Sequence, residues 1–80
     1  MKVRVTIMMK KGVLDPQGKT ILGSLHQLGY KEVTDVKAGK VLELSLPKMG
    51  KAQLEKKVKE MCERLLANTI IEDYEFEAGE

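Results

Sequence analysis

Cysteine, tryptophan and long apolar runs are scarce in this sequence of 80 residues. It contains one cysteine, Cys62, no tryptophan, one phenylalanine and two tyrosines. A single cysteine can form neither an internal disulfide nor a CxxC metal or redox site, which is typical of proteins in reducing compartments. Residues 1–11 alternate polar and apolar side chains, and the chain has no apolar run long enough to cross a bilayer. We therefore expect a cytoplasmic protein without a membrane span or a secretion signal.

The short length predicts one small domain, residues 1–80. A domain of this size is stable by only about 4 to 12 kcal/mol relative to its unfolded state. Burial of further apolar surface against another molecule would add materially to that stability. Self-association, as a dimer or a dimer of dimers, is therefore expected.

Charge is nearly balanced in total but is unevenly distributed along the chain. Residues 1–51 carry ten basic and four acidic residues, whereas residues 52–80 carry four basic and eight acidic residues. A basic half can indicate nucleic-acid binding, but that function also favours aromatic side chains for stacking on bases, and only three are present. We expect no nucleic-acid partner.

The first part of the chain is predicted to form a strand followed by a helix. Alternation with a period of two in residues 2–9 predicts a half-buried strand. Asp15 is a typical N-cap residue and Pro16 suits the first position of a helix. Gly29 is a typical residue for ending a helix, so the helix is predicted to run from Asp15 to about Leu28.

The rest of the chain is predicted to form two strands, a second helix and a last strand. Residues 31–37 and 41–46 favour a hairpin joined through residues 38–40. Apolar residues recur at helical spacing from residue 51 to about residue 67. Residues 70–77 are rich in β-branched and aromatic residues, which predicts a strand.

The resulting order β-α-β-β-α-β predicts an α+β fold. Its usual closed form is a ferredoxin-like sandwich, in which a four-stranded antiparallel sheet carries both helices on one face. The other face carries Met8, Val41 and Ile71 without a helix to cover them, so we expect a second copy or another subunit to bury it. The residues expected in the core are Leu25, Leu28, Leu54, Val58, Met61, Cys62 and Leu65.

The first and last strands are neighbours in this topology. Lys2 and Arg4 are therefore expected to face Asp73 and Glu75 across the sheet. The uneven charge along the sequence would then reflect complementarity within the fold.

No set of residues typical of catalysis is found. His26 lies in the first helix without a second metal ligand or a carboxylate partner in view, so a solvated or half-buried side chain is expected. Cys62 lies on the apolar stripe of the second helix, where a buried and unreactive thiol is expected. Strand alternation directs Asp73 and Glu75 to one face and Glu72 to the other, which disperses these carboxylates.

One segment, residues 10–19, has features that a purely structural loop does not need. Its lysines and glycines near a helix N-terminus could bind a phosphate. However, Asp15 already provides a negative cap, and the spacing fits neither GxxxxGK[ST] nor GxGxxG. A loop that presents a docking surface is therefore favoured over a nucleotide site.

Several blocks of sequence resemble the PurS family. They are residues 11–18 (KGVLDPQG), 28–30 (LGY), 36–40 (VKAGK), 61–68 (MCERLLAN) and 70–72 (IIE). Together they extend the resemblance over essentially the whole chain in register. Thr69 stands where many members have proline, which affects only the turn into the last strand.

PurS proteins are the small subunit of phosphoribosylformylglycinamidine synthase, so the resemblance implies a noncatalytic subunit of that ligase. The enzyme converts formylglycinamide ribonucleotide, ATP and glutamine into the amidine, with ADP, phosphate and glutamate as the other products. In that family a glutaminase subunit releases ammonia, a large synthetase subunit uses it, and a PurS dimer bridges the two. The resemblance also implies that this subunit binds no cofactor itself, whereas the complex uses ATP and Mg²⁺.

The turns are expected to contact the partner subunits, because exposed glycines and charges at turns cost stability and usually serve another purpose. No catalytic residue and no metal ligand is predicted. The predicted contact residues are Lys11, Asp15, Pro16, Gln17 and Gly18 before the first helix, and Lys37, Gly39 and Lys40 at the hairpin tip.

Two other functions stay open. A ferredoxin-like regulatory module could bind a small ligand between two protomers. A small RNA-binding module could use a free sheet face, but it would need exposed aromatic residues on the inner strands, and the predicted first and third strands contain none.

Overall fold

The computed structural model describes residues 1–79, which form three strands and two helices. The elements are β1 (Lys2–Met9), α1 (Pro16–Gln27), β2 (Gly39–Ser45), α2 (Lys51–Met61) and β3 (Glu72–Gly79). A π-helical turn, Cys62–Leu66, continues directly from α2. Neither helix within these residues has the length and apolarity that crossing a bilayer requires.

The strands form one antiparallel sheet in the order β2-β1-β3. Val5 of the central strand lies opposite Leu42 of β2 and Phe76 of β3, which fixes the register. The alternation predicted for β1 is confirmed, because its inward residues Val3 and Val5 are fully buried. As predicted, the first and last strands are neighbours.

The predicted strand over residues 31–37 is absent, so the sheet has three strands and no hairpin precedes Gly39. Backbone groups in and next to this segment bond to α1, to its N-cap residue and to a local turn. The Val33 carbonyl accepts a hydrogen bond from His26 Nε2, and the Ala38 N–H donates to the Asp15 carboxylate. Only Val33, Val36 and Ala38 are half-buried here, a spacing that does not give the continuous apolar face of a strand.

The hydrophobic core lies between the sheet and α2. Its buried residues are Val3, Val5, Ile7, Leu54, Val58, Cys62 and Ala67. The predicted burial of Leu54, Val58 and Cys62 is thus confirmed, and Met61 is half-buried.

The prediction that Leu65 belongs to the core is wrong, because 83% of its surface is exposed. The Ala67 N–H bonds to the Cys62 carbonyl, five residues back, as in a π-helix. This wider turn changes the direction of the following side chains. Leu66 therefore packs partly buried against the core in place of Leu65.

Helix α1 begins and ends as predicted but does not cover the sheet. Asp15 caps its first turn, and Gly29 adopts a φ of +101° just beyond its end. Leu28, expected in the core, is 73% exposed and Leu25 is only half-buried. Gly18 is its single buried residue. The expected pair of helices over the sheet is therefore not formed, because α2 alone supplies helical residues to the core.

The described chain is elongated. Its Cα radius of gyration is 16.0 Å and its longest dimension is 49 Å. A compact domain of this length would have a radius of gyration of about 12 Å. We call α1 with its return segment, residues 16–38, the arm, since it lies beside the sheet without entering the core.

Charges on the outer face of the sheet complement one another across strands. Arg4 lies opposite Glu43 on one side and Glu77 on the other. Lys2 forms a salt bridge to Glu43 with an N···O distance of 3.1 Å. Complementarity within the sheet is present, but with other partners than predicted, because β3 extends to Gly79. The expected partners Asp73 and Glu75 lie opposite Met8 and Thr6.

Candidate partner-docking site

The two segments predicted to contact partners meet through one carboxylate, that of Asp15. Its Oδ1 accepts a hydrogen bond from the Gly18 N–H at 2.9 Å. Its Oδ2 accepts another from the Ala38 N–H at 2.8 Å. The first bond caps α1, and the second joins the start of the helix to the chain that enters β2. We call this arrangement the Asp15 clasp.

Two glycines allow the chain to pass closely at the clasp. A Cβ atom at Gly18 would collide with the Val36 carbonyl oxygen and would lie 2.8 Å from Asp15 Oδ2. A Cβ atom at Gly39 would collide with the Met8 side chain and lie 2.5 Å from the Ile7 carbonyl oxygen. Both positions therefore require glycine for close packing of backbone and not for an unusual dihedral angle.

The clasp holds a negative charge in place. Hydrogen bonds from the Gly18 N–H first, then from Ala38 and Gln17, keep the pKa of the Asp15 carboxyl below its usual value, although partial burial acts in the opposite direction. Asp15 is therefore ionised at neutral pH. Its charge is directed into backbone N–H groups and is only partly available to a ligand.

Most of the predicted contact residues line one cleft of about 400 Å³, which we call the clasp cleft. Asp15, Pro16 and Gln17 line it from the start of α1, and Gly39 and Lys40 line it from β2. Gly18 lies buried beside it. The remaining predicted residues, Lys11 and Lys37, line a neighbouring hollow that shares Asp15 with the cleft.

The cleft also contains a carboxylate that the sequence did not indicate as part of a site. Glu72 lines it together with Ile7 and Met9. The sequence signal that could have identified Glu72 is its position in the strand alternation, which places it opposite Met9 on the inner face of the sheet. In the sequence, this alternation indicates only that Glu72 faces away from its acidic neighbours.

The potential reactive groups lie away from this cleft. His26 Nε2 donates to the Val33 carbonyl at 2.7 Å and so ties α1 to its return segment. Cys62 is fully buried, and burial first, then the nearby Glu63 charge, raises the pKa of its thiol. Among residues 1–79, no three His, Cys, Asp or Glu side chains are grouped so that they could hold a metal ion. The clasp cleft itself is an open depression lined by residues from α1 and β2, an arrangement suited to contact with another surface.

A side-chain contact that the sequence did not predict joins β3 to the π-helical turn. Tyr74 Oη donates to Glu63 Oε2 at 2.6 Å. This hydrogen bond is the main cause that raises the pKa of Tyr74 to about 12. No local signal could have indicated the pair, because the π-helical turn decides the direction of Glu63.

Comparison with known proteins assigns the chain to a family. Residues 2–80 match the family model of PurS, described as phosphoribosylformylglycinamidine (FGAM) synthase. The chain belongs to the PurS family. The resemblance noted in the sequence is thereby confirmed.

Relatives named phosphoribosylformylglycinamidine synthase subunit PurS occur in bacteria and archaea. The protein of Bacillus subtilis is 51% identical over 79 residues, which cover 99% of this chain and 93% of the relative. The protein of Methanocaldococcus jannaschii is 40% identical over 74 residues, which cover 92% of this chain and 89% of the relative. The similarity to PurS proteins is therefore not confined to one segment.

Solved PurS structures share this fold. The C2 crystal form of Bacillus subtilis PurS matches with a TM-score of 0.88 at 51% identity, covering 99% of this chain and 98% of that chain. A chain from the structure of PurLQS from Thermotoga maritima matches with a TM-score of 0.84 at 30% identity, covering 95% of this chain and 93% of that chain. With such coverage, the likeness to PurS includes the arm as well as the sheet.

Proposed function

We propose that the chain is the noncatalytic small subunit of phosphoribosylformylglycinamidine synthase. In this role it bridges the glutaminase and synthetase subunits during glutamine-dependent amidine formation in purine biosynthesis. The observation that carries the proposal is the match to the PurS family over residues 2–80. The similar Thermotoga maritima chain, which comes from a structure of PurLQS, supports it further. Family membership favours this role over a regulatory module that binds a small ligand.

The physical task of such a subunit is to hold two active sites together. Ammonia released by a glutaminase is useful only when a synthetase site is close, because otherwise it dilutes into bulk solvent. A bridge replaces an encounter between two proteins by an event within one complex, which raises the effective concentration of each site at the other. In this proposal the complex acts in the cytoplasm and its ATP and Mg²⁺ are bound outside this subunit, which contacts neither nucleic acid nor membrane.

We further propose that the chain pairs with itself. Leu28 of the arm is 73% exposed and Val41 on the outer sheet face is 56% exposed. Met8 on the same outer face and Ile71 in the turn just before β3 are only half-buried. A dimer, or a dimer of dimers, would bury part of this apolar surface, which one small core leaves uncovered.

The clasp cleft and its neighbouring turn are the proposed contact region for the larger subunits. The proposed contact residues are Lys11, Asp15, Pro16, Gln17, Lys37, Gly39 and Lys40, and Gly18, which is buried beside the cleft, supports them from within. The Asp15 clasp supports this proposal because it joins the two segments into one continuous surface. A partner that binds there would contact residues from α1 and β2 at once.

Sedimentation velocity of the reconstituted subunits tests the bridging role. The glutaminase and synthetase subunits are mixed with and without this chain in the presence of glutamine and ATP. We expect one complex that contains all three proteins only when this chain is present. Equal association of the two larger subunits in its absence would overturn the proposal.

A further inference from the structure

A second hollow, of about 380 Å³, lies next to the clasp cleft and has a different character. It is bounded by the loop after β1, the first turns of α1 and the segment before β2. Its charged lining is mainly basic, from Lys10, Lys11, Lys19 and Lys37. We call it the basic hollow.

The lysines of the basic hollow are not neutralised within the described chain. The ion pairs found among residues 1–79 join Lys2 to Glu43 and Arg64 to Glu60, so neither involves these four lysines. The acidic residues of the lining are Asp15 and Asp35. Four lysines thus face two carboxylates, so the basic hollow carries an excess of positive charge. Like charges gathered in this way repel one another, which is a cost that binding of an anion would remove.

Apolar side chains lie among these lysines. Leu14 lines the hollow and is 64% exposed, although it is large and apolar. Val13, Leu22 and Val36 line it as well and are half-buried. An exposed leucine surrounded by cations suits a partner that brings both an apolar group and carboxylates.

We propose that the basic hollow binds an acidic surface segment of one of the larger subunits, in which carboxylates flank an apolar side chain that packs on Leu14. This inference rests on the proposed role as a bridging subunit and names the chemistry of its partner. Its basis is charge complementarity together with the exposed leucine.

A protein segment fits the hollow better than a nucleotide does. Lys11, Lys19 and Lys37 are exposed, so a small anion bound to them would stay largely hydrated, whereas a protein surface can contact several of them together. Within residues 1–79, no aromatic side chain lines the hollow to stack on a base. The cations of the hollow are lysines and not arginines. A lysine ammonium group is a point charge and lacks the planar guanidinium that suits bidentate phosphate binding.

A second copy of the chain is also a poorer occupant. The chain offers acidic residues on β3, namely Asp73, Glu75 and Glu77, which are exposed. The side chains between them, Tyr74 and Phe76, are half-buried, so residues 73–77 offer no exposed apolar side chain to pack on Leu14.

The test compares a variant in which the charge of the hollow is reversed with a control variant in which the same number of lysines is changed elsewhere. The hollow variant is Lys11→Glu, Lys19→Glu and Lys37→Glu. The control variant is Lys48→Glu, Lys51→Glu and Lys56→Glu, which changes exposed lysines outside the hollow by the same net charge. Affinity for the mixed glutaminase and synthetase subunits is measured at low salt and at about 0.3 M salt, where exposed charges are strongly screened.

We expect the hollow variant to bind about tenfold or more weakly at low salt and to lose most of its salt dependence, while the control variant binds like the unmodified chain. A milder variant, Lys11→Gln with Lys37→Gln, serves if charge reversal prevents folding, and it should shift affinity in the same direction. Equal effects of hollow and control variants would overturn the inference and leave the bridging role intact.

Three further outcomes would also overturn it. If ADP displaces the partner subunits by competing for these lysines, the hollow is a nucleotide site. If the hollow variant loses only self-association, the occupant is a second copy. If the unmodified chain binds neither larger subunit, the proposed function fails and this inference fails with it.

Discussion

At the scale of single residues, the candidate site depends on Asp15 and Gly18. Asp15 could be identified from the sequence as a helix cap, because a cap is a local feature. Its bond to Ala38 could not, since the two residues are 23 positions apart and meet only through the path of the return segment. The requirement for glycine at position 18 could not be predicted either, because it arises from the close approach of the Val36 carbonyl.

The clasp should make part of the stability depend on pH. Because hydrogen bonds lower the pKa of Asp15 in the folded state, its contribution is fully present above the ordinary aspartate pKa of about 4 and is lost as pH falls below it. Asp15→Asn should therefore melt at a lower temperature than the unmodified chain at neutral pH, with the difference shrinking in acid. Thermal unfolding of both proteins across this range measures it, and a difference that does not change with pH would refute the role of the ionised carboxylate.

Replacing each of two glycines in α1 by alanine should change the free energy of unfolding in opposite directions. Gly18→Ala places a methyl group against the Val36 carbonyl and should lower the free energy of unfolding by about 1 to 3 kcal/mol. Gly23→Ala in the same helix meets nothing within 4 Å and should raise it by about 0.5 to 1 kcal/mol. Urea unfolding measures both, and a stabilising Gly18→Ala would show that the close approach is not required.

At the scale of elements, the sequence predicts those helices and strands whose positions depend on local periodicity. Strand β1 begins where its alternation indicates, α1 begins at its Asp15 cap, and α2 begins at residue 51, where the helical spacing of apolar residues starts. The segment 31–37 contains two valines and a threonine and so resembles a strand, whereas the Val33 carbonyl accepts a hydrogen bond from His26 of α1 and the Ala38 N–H just after the segment donates to Asp15. A regular period of 3.6 residues does not predict the π-helical turn, in which the backbone widens after Met61.

A pair of leucines tests the π-helical turn directly. Leu66→Ala removes a side chain that packs against the core and should lower the free energy of unfolding by about 2 kcal/mol. Leu65→Ala removes a side chain that is 83% exposed and should change it by less than about 0.5 kcal/mol. Unfolding measured at a concentration where the association state is the same for both variants gives the comparison. The reverse order of effects is what an uninterrupted α-helix would produce.

At the scale of the whole molecule, the described chain is elongated and leaves large apolar side chains exposed. A radius of gyration of 16.0 Å reflects an arm that contributes no side chain to the core. The sequence could not predict this shape. The amphipathic pattern of α1 predicts that one face is apolar, but it does not indicate whether that face packs on the same chain or on another molecule. Of the large apolar side chains of the arm helix and its end, Ile21 and Leu28 are exposed, whereas Leu22 and Leu25 are half-buried.

This exposed apolar surface should drive self-association, and substitutions on it should weaken self-association. The unmodified chain at micromolar concentration is expected to sediment with two or four times the mass of one chain. Leu28→Lys on the exposed side of the arm and Val41→Lys on the outer sheet face each place a charge where burial is expected, and at least one should shift the chain toward the monomer. A monomer at that concentration for the unmodified chain would contradict the proposed dimer.

The most direct test of the bridging role compares two nitrogen sources. Amidine formation by the glutaminase and synthetase subunits is measured with glutamine or with ammonium salt, with and without this chain. Ammonia supplied in bulk bypasses the bridge, so the chain should raise glutamine-dependent turnover far more than ammonia-dependent turnover. The chain alone should produce neither amidine nor glutamate. Equal stimulation with both nitrogen sources would contradict the account, because it would place the action of this subunit on the synthetase itself and not on the connection between two active sites.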